Sequence, residues 1–236
     1  MHKLTLLLAL GVTLAACVVN AQSPVIVGGQ SILSATDAAT LCEWVGEGPL
    51  SLTCLFSRSP GDGKSGLNFR MSCANRGRTF VVMEATCTDG QQYIIGGYNP
   101  QNWPSFGPMY VITNSILDRK GFVFNLTQGK ILRQRTDAYA GAFQTYNDQS
   151  YGPVFGGGYD LYVGPAFDGN YARYYSYGDS AAANLFGVAG ENTYFTVGRL
   201  DVFKITVVPE PSSTLPLLTG LAGISGMAVR RNKPSR

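Results

Sequence analysis

Tyr151-Gly-Pro-Val-Phe-Gly-Gly-Gly-Tyr-Asp-Leu-Tyr-Val163 decides how the chain folds. It has no helical period. Val154 and Phe155 enter a run of three glycines, after which Leu161 and Val163 alternate with Tyr162. The pattern predicts strand, sharp backbone crossing, strand. Three successive glycines free the backbone for positive φ or for close approach of another backbone. Working outward, the same pattern recurs. Leu50 to Ser57, Phe122-Val-Phe-Asn-Leu126 and Thr193 to Val208 read as strands, and Thr79 to Ala85 and Tyr93 to Gly97 as a hairpin turned at Thr88-Asp-Gly90. Ser34-Ala-Thr-Asp37 has the capping-box form. It opens a helix whose apolar face is Ala38, Leu41, Cys42 and Val45, and Gly46-Glu-Gly48-Pro49 stops it. Pro60-Gly-Asp-Gly63 is a turn, and Ser65 caps a second short helix carrying Leu67, Phe69 and Met71 and ending near Cys73. The expected class is α+β, mainly β, with a few short helices.

Composition narrows the chemistry. The 236 residues suit one domain plus processing segments, and abundant glycine and tyrosine with few charges suit a β-rich extracellular domain. The formal charge of +3 is carried by the termini. Gln22 to Pro211 holds 13 basic and 15 acidic residues, a net −2. No basic run survives there, and the alternating Arg133 and Arg135 read as a solvated strand face, so nucleic acid is not an expected partner. The single histidine, His2, lies in the leader. Without it the mature chain can build neither a Ser-His-Asp nor a Cys-His nucleophile, nor the usual histidine-bearing zinc site. Ile26-Val27-Gly28-Gly29 is similar to the start of a trypsin-like protease, but that reading fails for the same reason.

Met1 to Ala21 has the form of a secretory leader, with Lys3, an apolar run from Leu4 to Leu14 and small residues at Val19-Asn20-Ala21. Leu14-Ala15-Ala16-Cys17 offers a rival, lipidation at Cys17. Gln22 to Leu33 is expected to be an exposed lead-in, and residues 34–208 the folded domain. Cys42, Cys54, Cys73 and Cys87 remain after the leader. An even number in an exported chain implies two disulfides, with four reduced thiols as the alternative. An extended Thr79 to Cys87 would separate its ends by about 25 Å at ~3.3 Å per residue, which favours Cys54–Cys73 with Cys42–Cys87. Asn125-Leu-Thr127 matches a glycosylation acceptor, to which the C-terminal tail, read next, gives little weight.

The tail over residues 209–236 joins Pro209-Glu210-Pro211 to an apolar run from Leu215 to Val229 and then to Arg230 and Arg231. This resembles the PEP-CTERM sorting signal. The resemblance implies recognition by an exosortase, removal of the tail after a membrane-anchored intermediate, and release to the surface or extracellular matrix of a bacterium with an outer membrane. Signal peptidase would process the other end. An uncut tail anchor is the alternative.

The middle of the chain resembles the TLDc domain, the module of eukaryotic oxidation-resistance proteins. Leu55-Phe-Ser-Arg-Ser59 with Asp62-Gly63, Phe69 with Cys73, Thr79-Phe-Val-Val-Met83, Ile95-Gly-Gly-Tyr98 with Trp103, and Leu200-Asp-Val-Phe203 carry it in order. The strongest match runs from Gly152 to Val163 and includes Phe155, Gly156, Gly157, Gly158 and Asp160. Two positions depart: Tyr159 stands where the family has His, and Asp201 where it has Glu. The resemblance implies a two-sheet antiparallel β-sandwich flanked by short helices, and no settled catalytic mechanism. It also raises protection against oxidants as a function.

Two groups of residues are candidates for chemistry. Asp160 and Asp201 could act as general acid and base on envelope glycans if they lie within roughly 5–10 Å. The simpler reading is that Asp160 accepts N–H bonds from the glycine turn and Asp201 is structural. Tyr171, Arg173, Tyr174, Tyr175 and Tyr177 form an aromatic loop that could stack on sugars or anchor a protein, or simply pack on itself. Gly156 to Gly158 precede a strand rather than a helix, so a phosphate cradle is excluded. Asp168-Gly-Asn170 supplies too few oxygens for calcium. No metal or cofactor is expected. The function expected is a non-catalytic surface or matrix module that binds a protein or polysaccharide.

Overall fold

In the computed structural model, residues 23–107, 109–178, 183–190 and 192–208 are described. The leader with Cys17, and the tail with Pro209, Glu210, Pro211, Arg230 and Arg231, lie outside them. Local signals act where they were read. Ser34 Oγ accepts the N–H of Asp37, and the Asp37 carboxylate accepts the N–H of Ser34. This reciprocal cap opens helix α1 (Ala35–Val45), and Gly46 at φ 76° closes it. Helix α2 (Gly66–Cys73) opens at Ser65, whose N–H is accepted by Asn68 Oδ1. Phe69 and Cys73 are buried, whereas Leu67 and Met71 are exposed.

Twelve strands occur among the described residues: β1 (Val25–Val27), β2 (Leu50–Arg58), β3 (Thr79–Cys87), β4 (Gln92–Asn99), β5 (Tyr110–Ile112), β6 (Phe122–Asn125), β7 (Lys130–Arg133), β8 (Phe143–Tyr146), β9 (Val154–Phe155), β10 (Leu161–Tyr162), β11 (Asn170–Ala172) and β12 (Thr193–Val207). They are hydrogen-bonded in the order β5-β8-β9-β10-β11-β12-β3-β4-β6-β7, with β2 on β12 and β1 on β2. All pairs are antiparallel except β1–β2.

The expected two separate sheets are therefore one continuous sheet. Its halves nevertheless face each other. A Cβ on Gly97 of β4 would lie 2.5 Å from the Phe155 ring of β9, although β10, β11, β12 and β3 separate those strands in the sheet. Four intervening strands at ~4.8 Å spacing would hold them far apart if the sheet were flat. The sheet folds over at β12, whose pairing with β3 is interrupted by a bulge between Val197 and Leu200.

Period-two alternation fills both sides of the central strands. Val81, Met83, Leu200 and Val202 belong to the core between the halves, with Trp103, Phe155 and Leu161. Phe80, Val82, Phe203 and Ile205 belong to the core under α1, with Leu41, Phe122 and Phe124. The lead-in is less exposed than its sequence suggests. Val25–Val27 pair with β2, and Ile32 and Leu33 are buried.

All four cysteines are free, which corrects the expected disulfides. Cys42 lies in the core under α1, and Cys73 and Cys87 in the core between the halves. A Cys42–Cys87 bridge would have to cross the sheet. The Cys54 thiol instead meets Phe56 O at 3.4 Å and Ser57 Oγ at 3.2 Å. Burial raises all four thiols, Cys73 to about 12. They are free, but they lack the accessible thiolate that redox chemistry needs. Asn125 is fully buried and donates to Leu185 O, a poor position for a glycan.

Candidate functional site

The glycine run makes a tight hairpin. Leu161 pairs with Phe155 and Tyr162 with Val154. Gly156 turns at φ 84°, and Tyr159 closes the turn at φ 62°, an unusual conformation for an aromatic residue. The other two glycines make room for side chains rather than for backbone. A Cβ on Gly157 would lie 2.7 Å from the Phe143 ring, and one on Gly158 would lie 2.3 Å from Tyr175 Cβ.

Asp160 follows this turn and is 1 % exposed. Its carboxylate accepts the consecutive backbone N–H groups of Tyr175, Ser176 and Tyr177 at 2.7–3.0 Å. The donors thus come from the tyrosine loop, not from the glycine turn. Burial is the largest influence on this carboxyl and pushes it up to about 6, against the three N–H groups that favour its charge. Asp201 is fully buried in the other half of the sheet. It accepts from Gln30 N at 2.7 Å, Gln30 Nε2 at 3.2 Å and Ser57 Oγ at 2.5 Å. Gly29, at φ 89°, carries the lead-in across it, where a Cβ would lie 2.9 Å from Asp201 Oδ2. The two carboxylates share no partner, and each is sealed by the protein's own donors.

The predicted aromatic loop divides. Tyr177 is buried and donates its hydroxyl to Gln144 O at 2.7 Å. Arg135 sits over Tyr174 and Arg173 over Tyr175. Tyr171 belongs to a larger feature.

Strand register places Tyr110 opposite Tyr146, Tyr146 opposite Val154, Val154 opposite Tyr162, Tyr162 opposite Tyr171, and Tyr171 opposite Tyr194. Residues paired across strands share a face, so β5, β8, β10, β11 and β12 present one row of tyrosines. Val154 marks the gap, and Tyr151 and Tyr159 bridge it. Tyr159 lies 5.1 Å from Tyr146 and 5.4 Å from Tyr162, and Tyr151 lies 5.9 and 5.2 Å from the same two rings. Tyr162 and Tyr171 stack at 4.9 Å, and Tyr194 continues the row at 5.9 Å. Tyr146 is buried, Tyr194 is exposed and the other five are half-buried. Burial raises the Tyr159, Tyr162 and Tyr171 phenols, Tyr162 to about 12, so they remain protonated donors at neutral pH. The row offers hydroxyl-bearing aromatic surface.

Sequence reading found Tyr171 and missed the rest. The tyrosine count was visible, but the register that aligns residues from five strands was not. No cluster of His, Cys, Asp or Glu able to hold a metal occurs among the described residues.

The chain is thus a β-rich sheet folded on itself, with a glycine hairpin held to the tyrosine loop by a buried aspartate. The TLDc domain model matches residues 26–206, and the chain belongs to the TLDc family. Comparison with curated proteins gives no match.

Proposed function

We propose that the chain is an exported, non-catalytic TLDc module of a bacterial surface or extracellular matrix, and that it holds a polysaccharide on its tyrosine row. The row is the observation that carries this reading. Tyrosine combines an apolar ring with a hydroxyl donor and suits a ligand whose surface alternates C–H and O–H. Five rows of strand spacing at ~4.8 Å give a face on the order of 24 Å across, enough for several sugar units. A glycan hydrolase would need carboxylates open to substrate, whereas Asp160 and Asp201 are both enclosed. The leader and the PEP-CTERM-like tail supply the address: signal peptidase removes the first, and an exosortase removes the second after transient anchoring.

The test is affinity electrophoresis in gels cast with hydroxyethyl cellulose, dextran or alginate. The folded protein is expected to be retarded in at least one gel, and a Tyr162→Ser/Tyr171→Ser variant to run freely there. Unretarded migration of the wild type in all three gels would sink the reading. The intact mass of protein recovered from cells tests the address. A species lacking residues 1–21 and ending near Pro209-Glu210-Pro211 supports it, and one retaining Arg230 and Arg231 overturns it.

A further inference from the structure

Arg70 is the odd charge of this molecule. It is 5 % exposed, and its guanidinium lies 5.3 Å from the Phe69 ring and 5.2 Å from the Trp103 ring. Nε donates to Asp148 O at 3.2 Å, Nη1 to Asn147 Oδ1 at 3.2 Å and Nη2 to Tyr146 O at 3.0 Å. All three acceptors are neutral. A guanidinium has five N–H donors, so two are unused. Among the described residues no carboxylate forms a salt bridge with it. The nearby Asp148 has its Oδ1 held by Ser150 N and Oγ at 2.9 and 2.5 Å. Burial lowers Arg70 to about 10, which leaves it charged at neutral pH. Asp148 acts on this cation only from beyond ion-pair distance, so its charge is incompletely matched, which is costly for a buried guanidinium, and its field acts on whatever occupies the space beside it.

That space is a cavity of about 330 Å³ whose lining includes Leu67, Arg70, Met71, Ala74, Phe106 and Gln149. Its walls are apolar residues that α2 and the β4–β5 connection leave outward: Leu67 is 52 %, Met71 73 % and Phe106 84 % exposed. Large apolar side chains grouped in this way mark binding surface. Arg70 lines this cavity together with hydrocarbon side chains, a combination that complements one chemistry, a carboxylate attached to an apolar body.

We propose that this cavity is a binding site for small carboxylates with an alkyl or aryl tail, with Arg70 as the carboxylate ligand and Leu67, Met71 and Phe106 gripping the tail. The site is independent of the tyrosine row. Arg70 hangs from the backbone of Tyr146, so the two surfaces share a strand but no side-chain role.

The experiment is titration of the folded protein with octanoate, octanol and butyrate, each below its aggregation limit, followed by amide chemical shifts. Octanoate is expected to bind about tenfold more tightly than octanol, which lacks the charge. It should also bind about tenfold more tightly than butyrate, which lacks the tail. The shifts should centre on residues 67–74, 105–106 and 149. Equal affinity for octanol, shifts centred elsewhere, or no response to octanoate at millimolar concentration would each overturn the proposal. Arg70→Gln is expected to lose binding, but it also removes bonds that hold residues 146–148. Met71→Glu serves as the second variant. Its side chain is exposed, its fold should be kept, and the new charge at the mouth is expected to weaken octanoate about tenfold or more. An unchanged octanoate affinity in folded Met71→Glu overturns the site.

Discussion

Asp160 carries opposite demands in one side chain. Burial disfavours its charge, while three N–H groups from residues 175–177 require an acceptor. Asp160→Asn keeps one carbonyl oxygen but turns an NH₂ group toward those donors. It is expected to cost about 1–3 kcal/mol, read from the urea midpoint at pH 7. The wild type should also show a pH signature. Its carboxyl is raised from 3.8 to about 6, so across that window the folded chain holds a proton that the unfolded chain has released. This group's contribution to stability therefore declines as pH rises from about 4 to about 6, and Asp160→Asn should lack that slope. Equal slopes in the two proteins would contradict the assignment.

The thiols make a second prediction at this scale. Native protein should resist iodoacetamide, and protein in urea without reductant should take up label at Cys42, Cys54, Cys73 and Cys87. Absence of label in urea would restore the disulfides that the sequence led us to expect.

At the scale of elements, the halves meet where the Phe155 ring of β9 lies over Gly97 of β4. Gly97→Ala should push the layers apart and cost about 1–3 kcal/mol. Phe155→Leu in the same chain should recover part of that loss, a coupling that a double-mutant cycle measures. If the two substitutions are simply additive, the layers do not meet there.

The elements also show what could be read in advance. The caps of α1, the β3–β4 hairpin and the glycine hairpin depend on residues close in sequence, and these were legible. β5, β8 and β11 span three or four residues each, too short for a period to emerge. The tyrosine row was illegible for a different reason: it exists only after register brings distant strands together. α2 was read as a helix, but its outward Leu67 and Met71 could not be told from core residues until the face was known.

At the scale of the molecule, the sheet belongs to no single layer. Its two halves share β12, which pairs with β11 at one end and with both β2 and β3 along the rest. One strand thus closes both hydrophobic cores. The capped helices and the local hairpins can form without it, but neither core is complete.

That arrangement bears on timing. β12 follows every other described strand and joins residues up to 157 positions apart (Leu50 and Val207), so its own native pairing must wait until synthesis has passed it. A nascent chain stopped at residue 192 should show no cooperative unfolding transition, and adding residues 193–208 should restore one. A cooperative transition in the shorter chain would refute this order. A polypeptide that stays uncommitted until its last strand emerges is also one that a translocation channel can thread as an open polymer, to be folded on the far side.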